Sequence, residues 1–82
     1  MVAFLAPGTG RAAFVAGRKV GSAVKRNRAK RVLRAAWLGI EPALRAGYDV
    51  TWVARAAIRG AKTQDLVAEM TQLLQDARVA RP

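Results

Sequence analysis

Gly17-Arg18-Lys19-Val20-Gly21-Ser22-Ala23-Val24-Lys25-Arg26-Asn27-Arg28-Ala29-Lys30-Arg31-Val32-Leu33-Arg34 carries eight Lys or Arg among eighteen residues and no Asp or Glu. Projected at about 100° per residue, residues 23 to 40 place Ala29, Val32, Leu33, Ala36, Trp37 and Ile40 on one arc. Asn27, Arg28, Lys30, Arg31 and Arg34 fill the opposite arc. One face is built to pack on a core and the other to meet a partner. Lys25 and Arg26 project near the apolar arc, so the first turn overhangs the core or lies partly outside the regular helix. Solvated helix faces usually mix signs, because an acid three or four residues from a base adds about 0.2–0.5 kcal/mol per pair. Here no acid offsets the repulsion, and a phosphate backbone would remove it.

The flanking residues set the context of this helix. Ser22 is its candidate N-cap, and it ends at Gly39 or at latest before Pro42. Gly17 and Gly21 bracket Arg18-Lys19-Val20 and allow sharp turns, but the Gly-Lys-Ser/Thr ending of a P-loop is missing, so nucleotide hydrolysis has no support. Upstream, Val2 to Ala6 reads as a strand ended by the turn formers Pro7-Gly8-Thr9-Gly10. Arg11 to Ala16 reads as a second strand, with Ala12, Phe14 and Ala16 on one face and Ala13 and Val15 on the other. A compact domain that begins directly on a strand suggests a segment preceding Met1.

Downstream, residues 41 to 47 form a connection with room for a short turn. Tyr48 to Arg55 alternates as a strand, with Tyr48, Val50, Trp52 and Ala54 on one face. Residues 56 to 62 read as a loop. Thr63 is placed to cap a last helix whose stripe of Leu66, Val67, Met70, Leu73, Leu74 and Ala77 would cover a sheet. Trp37, Trp52 and Met70 read as core. Strand, strand, basic helix, strand, helix describes an α+β fold, a small mixed sheet with helices on one face. The β-α-β crossover through the basic helix implies a parallel strand pair.

Eighty-two residues make one domain, residues 1–82, with one modest core. The net charge of +10 is polarised. Residues 1–40 hold nine bases and no acid, whereas residues 41–82 hold six bases and all five acids. Such a pole suits nucleic acid, and a membrane role is disfavoured because strand-like segments on both sides commit the helix's apolar face to a core. Cysteine and histidine are absent, which excludes disulfides and removes the usual zinc and heme ligands. No secretory signal opens the chain, so the cytoplasm is the expected compartment. The carboxylates Glu41, Asp49, Asp65, Glu69 and Asp76 are scattered, and no histidine stands ready to activate Ser22 or any threonine. No catalytic residue and no protein metal site is expected.

The run Phe14 to Arg34, with Arg26-Asn27-Arg28 at its centre, closely resembles the signature of the bacterial ribonuclease P protein subunit. Gly47-Tyr48-Asp49-Val50-Thr51-Trp52-Val53-Ala54-Arg55 is similar to that family's later strand, so the resemblance spans nearly the whole chain. It implies a four-stranded sheet of the ribosomal protein S5 domain 2 type and a protein that joins a catalytic RNA. The complex would cut the 5′ leader from precursor tRNA, using Mg²⁺ held mainly by the RNA. Arg26, Asn27, Arg28, Lys30, Arg31 and Arg34 would contact the RNA subunit, with Arg18, Lys19 and Lys25 in the same patch. Asn27 could instead bond main chain at the helix start. Phe4 and Phe14 match the leader-binding positions by place, the alternative being that both rings are core. Family members begin with an aromatic-bearing helix that this sequence lacks, and Ser22 stands where Asn is usual.

Two other readings fit the same charges. A general RNA-binding or ribosome-associated module would bind many RNAs alike without any reaction. A DNA-binding module would place the basic helix in a major groove, but no helix-turn-helix pair is evident.

Overall fold

The computed structural model describes residues 1–55, 58 and 61–79. Three strands, β1 (Val2–Pro7), β2 (Ala12–Ala16) and β3 (Tyr48–Ala54), form one sheet in the order β1-β3-β2. Helix α1 (Ala23–Ile40) joins β2 to β3, and α2 (Thr63–Asp76) follows β3. Short 3₁₀ turns at Arg18–Val20 and Glu41–Ala43 flank α1. The loop read at residues 56 to 62 lies mostly outside the described residues.

The parallel pair expected from the crossover is present: β2 runs parallel to β3, with Ala12 opposite Val50 and Ala16 opposite Ala54. β1 lies on the other side of β3 and runs antiparallel, from Val2 opposite Val53 to Pro7 opposite Tyr48. The four strands implied by resemblance are three among the described residues. Val79, beyond α2, is tied to the connection after α1 by one backbone hydrogen bond, Arg45 N–H to its carbonyl at 2.7 Å, and forms no strand there.

Both helices cover the same face. Val50, Trp52 and Ala54 of β3 are buried against Ala29, Leu33, Ala36, Trp37 and Ile40 of α1 and Leu66, Met70 and Leu74 of α2. Trp37 and Trp52 meet at 5.7 Å between ring centroids, tilted by 53°. This tilted contact is favoured over a face-to-face stack. Among the described residues the Trp52 indole N–H has no hydrogen-bond partner.

Because β3 sits between β1 and β2, residues 8–11 must cross the start of β3, a span of roughly 10 Å at ordinary strand spacing. Asp49 of β3 catches them. Its Oδ1 accepts the backbone N–H groups of Thr9, Gly10 and Arg11 at 2.9, 3.0 and 2.8 Å, and the Arg11 guanidinium lies 3.7 Å from Oδ2. Gly8 packs so closely on this carboxylate that an added Cβ would collide with it. The Arg11 N–H above all holds the Asp49 carboxyl below the usual carboxylate range, with the Thr9 and Gly10 N–H groups and the Arg11 charge adding to it against partial desolvation.

Each strand differs from the sequence reading by one residue, β1 running on to Pro7, β2 beginning at Ala12 and β3 ending at Ala54, and the start of α2 differs as well. Thr63 is the first residue of α2 and Lys62 precedes it as the cap, because Asp65 reaches back to accept the Lys62 N–H at 3.1 Å.

Two consequences are measurable. Leu33 is fully buried, so Leu33→Ala should lower stability by about 2–5 kcal/mol in urea unfolding. Asp49→Ala should lower the thermal midpoint. Because the folded carboxyl titrates below its ordinary value of 3.8, its contribution is present above that pH and is lost as pH falls through the lowered folded value. The variant should lack that part of the acid dependence.

Candidate nucleic-acid interface

The basic surface is prepared by the segment before α1. Gly21 has φ of 134°, where a side chain would be strained, and a Cβ there would stand 2.7 Å from Lys25 Cδ. The chain therefore turns sharply into the helix with Lys25 lying over Gly21. Arg26 reaches back to the Gly21 carbonyl, its Nη1 donating at 3.4 Å. The two bases that project near the apolar arc thus fold over the helix entrance. Ser22 is the N-cap, its Oγ 3.5 Å from the Lys25 nitrogen, and no acid occupies the first turn.

The remaining bases face outward. Asn27, Arg28, Arg31 and Arg34 are exposed and Lys30 is half-buried, while Arg18 and Lys19 are exposed on the preceding 3₁₀ turn. With the cap supplied by Ser22, Asn27 stands on the solvent side. Val24, Arg28, Arg31, Ala35 and Leu38 form the outermost stripe, and Val24 and Leu38 are 76% and 69% exposed.

The acids lie elsewhere. Asp65, Glu69 and Asp76 belong to α2, Asp49 is engaged by the 8–11 turn, and Glu41 begins the turn after α1. Among the described residues the ion pairs are Arg11 with Asp49 and the Met1 amino group with Glu69, so the α1 bases keep their charge for a partner. Among the described residues, no three His, Cys, Asp or Glu side chains cluster where they could hold a metal ion. No described helix is long and apolar enough to cross a membrane.

Phe4 and Phe14 are not brought together. Phe4 pairs with Thr51 and is 60% exposed on the open face, whereas Phe14 pairs with Trp52 on the helix-covered face. Phe4 shares the open face with Thr51, Val53 and the 44%-exposed Val15. Arg11, which the sequence reading left out of the patch, adds an exposed guanidinium beside Asp49 at one end of that face. The signal available for it was the lone Asp in the strand pattern, lying opposite a Gly-Thr-Gly-Arg turn.

A family model described as Ribonuclease P matches residues 1–78. The ribonuclease P protein component of a Nitratiruptor species is 45% identical over 65 residues, covering 79% of this chain and 59% of that protein. The component from Symbiobacterium thermophilum is 42% identical over 67 residues, covering 82% and 58%. The chain thus spans less than two thirds of the length of these curated relatives. The structure of the Staphylococcus aureus RNase P protein superposes with a TM-score of 0.76 at 20% identity, over 96% of this chain and 75% of the other, which shows a shared fold.

An Arg28→Ala, Arg31→Ala double variant should flatten the dependence of log affinity on log salt for structured RNA by about 1.4–1.8, two phosphate contacts' worth. Fluorescence anisotropy across a KCl series checks this. The loss should be similar for RNAs of different sequence.

Proposed function

The chain belongs to the ribonuclease P protein family, and from that membership we propose that it is the protein subunit of a cytoplasmic ribonuclease P, binding the catalytic RNA and supporting endonucleolytic removal of the 5′ leader from precursor tRNA. The observation that carries the proposal is the acid-free array of Arg28, Lys30, Arg31 and Arg34 on a helix whose other face is committed to the core. Arginine suits this task because its planar fork grips phosphate bidentately and stacks on bases. Arg18, Lys19, Lys25, Arg26 and Asn27 extend the RNA-facing surface at the helix entrance.

The division of labour follows from the side chains. The sequence has no histidine or cysteine to serve as general base or nucleophile, and on this reading the chain's part is to bind and orient RNA. When bound, Mg²⁺ held mainly by the RNA supplies the activation of water for phosphodiester hydrolysis. Phe4, exposed on the open sheet face, offers a ring on which a single-stranded leader base stacks. Phe14 faces the helices and does not share that surface.

Single-turnover cleavage of a precursor tRNA by a bacterial ribonuclease P RNA at low Mg²⁺ tests the proposal. The protein should accelerate cleavage, and the Arg28→Ala, Arg31→Ala variant should lose the effect. Phe4→Ala should weaken binding of precursor tRNA by about 1–3 kcal/mol while leaving mature tRNA binding unchanged. A protein that binds unrelated structured RNAs equally well and accelerates nothing would be a general RNA-binding module instead.

A further inference from the structure

Phe14 differs from the other rings in what covers it. Half-buried on β2, it lies beneath Arg34, whose Cζ stands 5.3 Å from the ring centroid. The register explains the placement: Phe14 pairs with Trp52, so its ring faces the helix layer at the sheet margin where α1 packs over β2. Arg34 itself is exposed, and the ion pairs among the described residues involve other bases. Arg28 and Arg31 stand on the outermost stripe of α1, whereas Arg34 rests on an aromatic face. A guanidinium seated on a ring keeps its in-plane N–H donors free at its edges and loses little freedom when a phosphate arrives.

We propose that Phe14 is a positioning residue for RNA binding: it holds the Arg34 guanidinium edge-on to an RNA phosphate at the margin between α1 and β2, and makes no RNA contact of its own. The inference rests on the reading that ribonuclease P RNA is the partner. It gives Phe14 a function on the covered face of the sheet, distinct from leader stacking on the open face.

The test measures affinity for a bacterial ribonuclease P RNA across a KCl series, using the full chain as wild type, Arg34→Ala, Phe14→Leu, Phe14→Tyr and the Phe14→Leu, Arg34→Ala double variant. Arg34→Ala and Phe14→Leu should each weaken binding about tenfold, the order of one charge-assisted hydrogen bond. Each should flatten the salt dependence by about 0.7–0.9. The double variant should bind no more weakly than Arg34→Ala alone, and Phe14→Tyr, which keeps the ring, should bind as wild type does. Additive losses, or a Phe14→Leu loss with an unchanged salt dependence, would overturn the proposal. In the free wild-type protein, nuclear Overhauser contacts between the Phe14 ring and the Arg34 side chain should be present, and their absence would overturn it without recourse to any variant. Wild-type protein with no affinity for the RNA would overturn the partner reading and this inference with it, a result distinct from normal binding with uncoupled variants.

Discussion

The carboxylate of Asp49 pins the crossing that the strand order requires. A chain that forms β1 and then β2 would ordinarily pair them as neighbours, yet here β3, arriving more than thirty residues later, lies between them. The turn joining β1 to β2 is left to pass over the start of β3; its Gly8 N–H bonds the Gly47 carbonyl at 2.9 Å, and the N–H groups after it have no ladder to enter. Three of those donors converge on one oxygen of Asp49, and Gly8 leaves the room that the carboxylate needs. These donors are exposed, and what binds the turn to the strand beneath it is the convergence of three charge-assisted hydrogen bonds on one carboxylate oxygen.

With β3 central, the two faces of the sheet separate in character. The face of Val50, Trp52 and Ala54 receives both helices, and the alternate face keeps Phe4, Val15 and Thr51 at or near solvent. Burial of Ala29, Leu33, Ala36, Trp37 and Ile40 fixes the rotation of α1 about its own axis. The charges on its other side are thereby turned outward together, and their mutual repulsion is accepted because the apolar seam outweighs it. Small residues matter in that seam: Ala29 and Ala36 let the helix lie close to the sheet.

Much of this was legible in the sequence. The 3.6-residue spacing of Leu33, Ala36, Trp37 and Ile40 determined the buried side of α1, Ser22 marked its start, and the strand-helix-strand succession implied the parallel pair. What periodicity cannot express is which strand a later strand will join, so the antiparallel position of β1 across β3 was not available from it. Phe4 and Phe14 show the same limit. Each sits in an alternating run, but only the register against Thr51 and Trp52 tells which side of the sheet each ring takes. Lys25 and Arg26 disturbed the helical projection because their destination is the Gly21 turn, a contact set by backbone geometry. The cap of α2 was misplaced by one residue because a side chain inside the helix, Asp65, supplies the bond that a cap would otherwise make.

The tilted pair of Trp37 and Trp52 has an optical consequence. These are the chain's two tryptophans, both are buried beneath the helices, and the bases of the outer α1 surface lie on the far side of that helix. Intrinsic emission excited at the indole band therefore reports the integrity of the core and is blind to what settles on the charged surface. A titration with RNA should leave the emission maximum in place, while loss of packing should shift it to the red, so one spectrum would separate a variant that has lost its grip from one that has lost its fold.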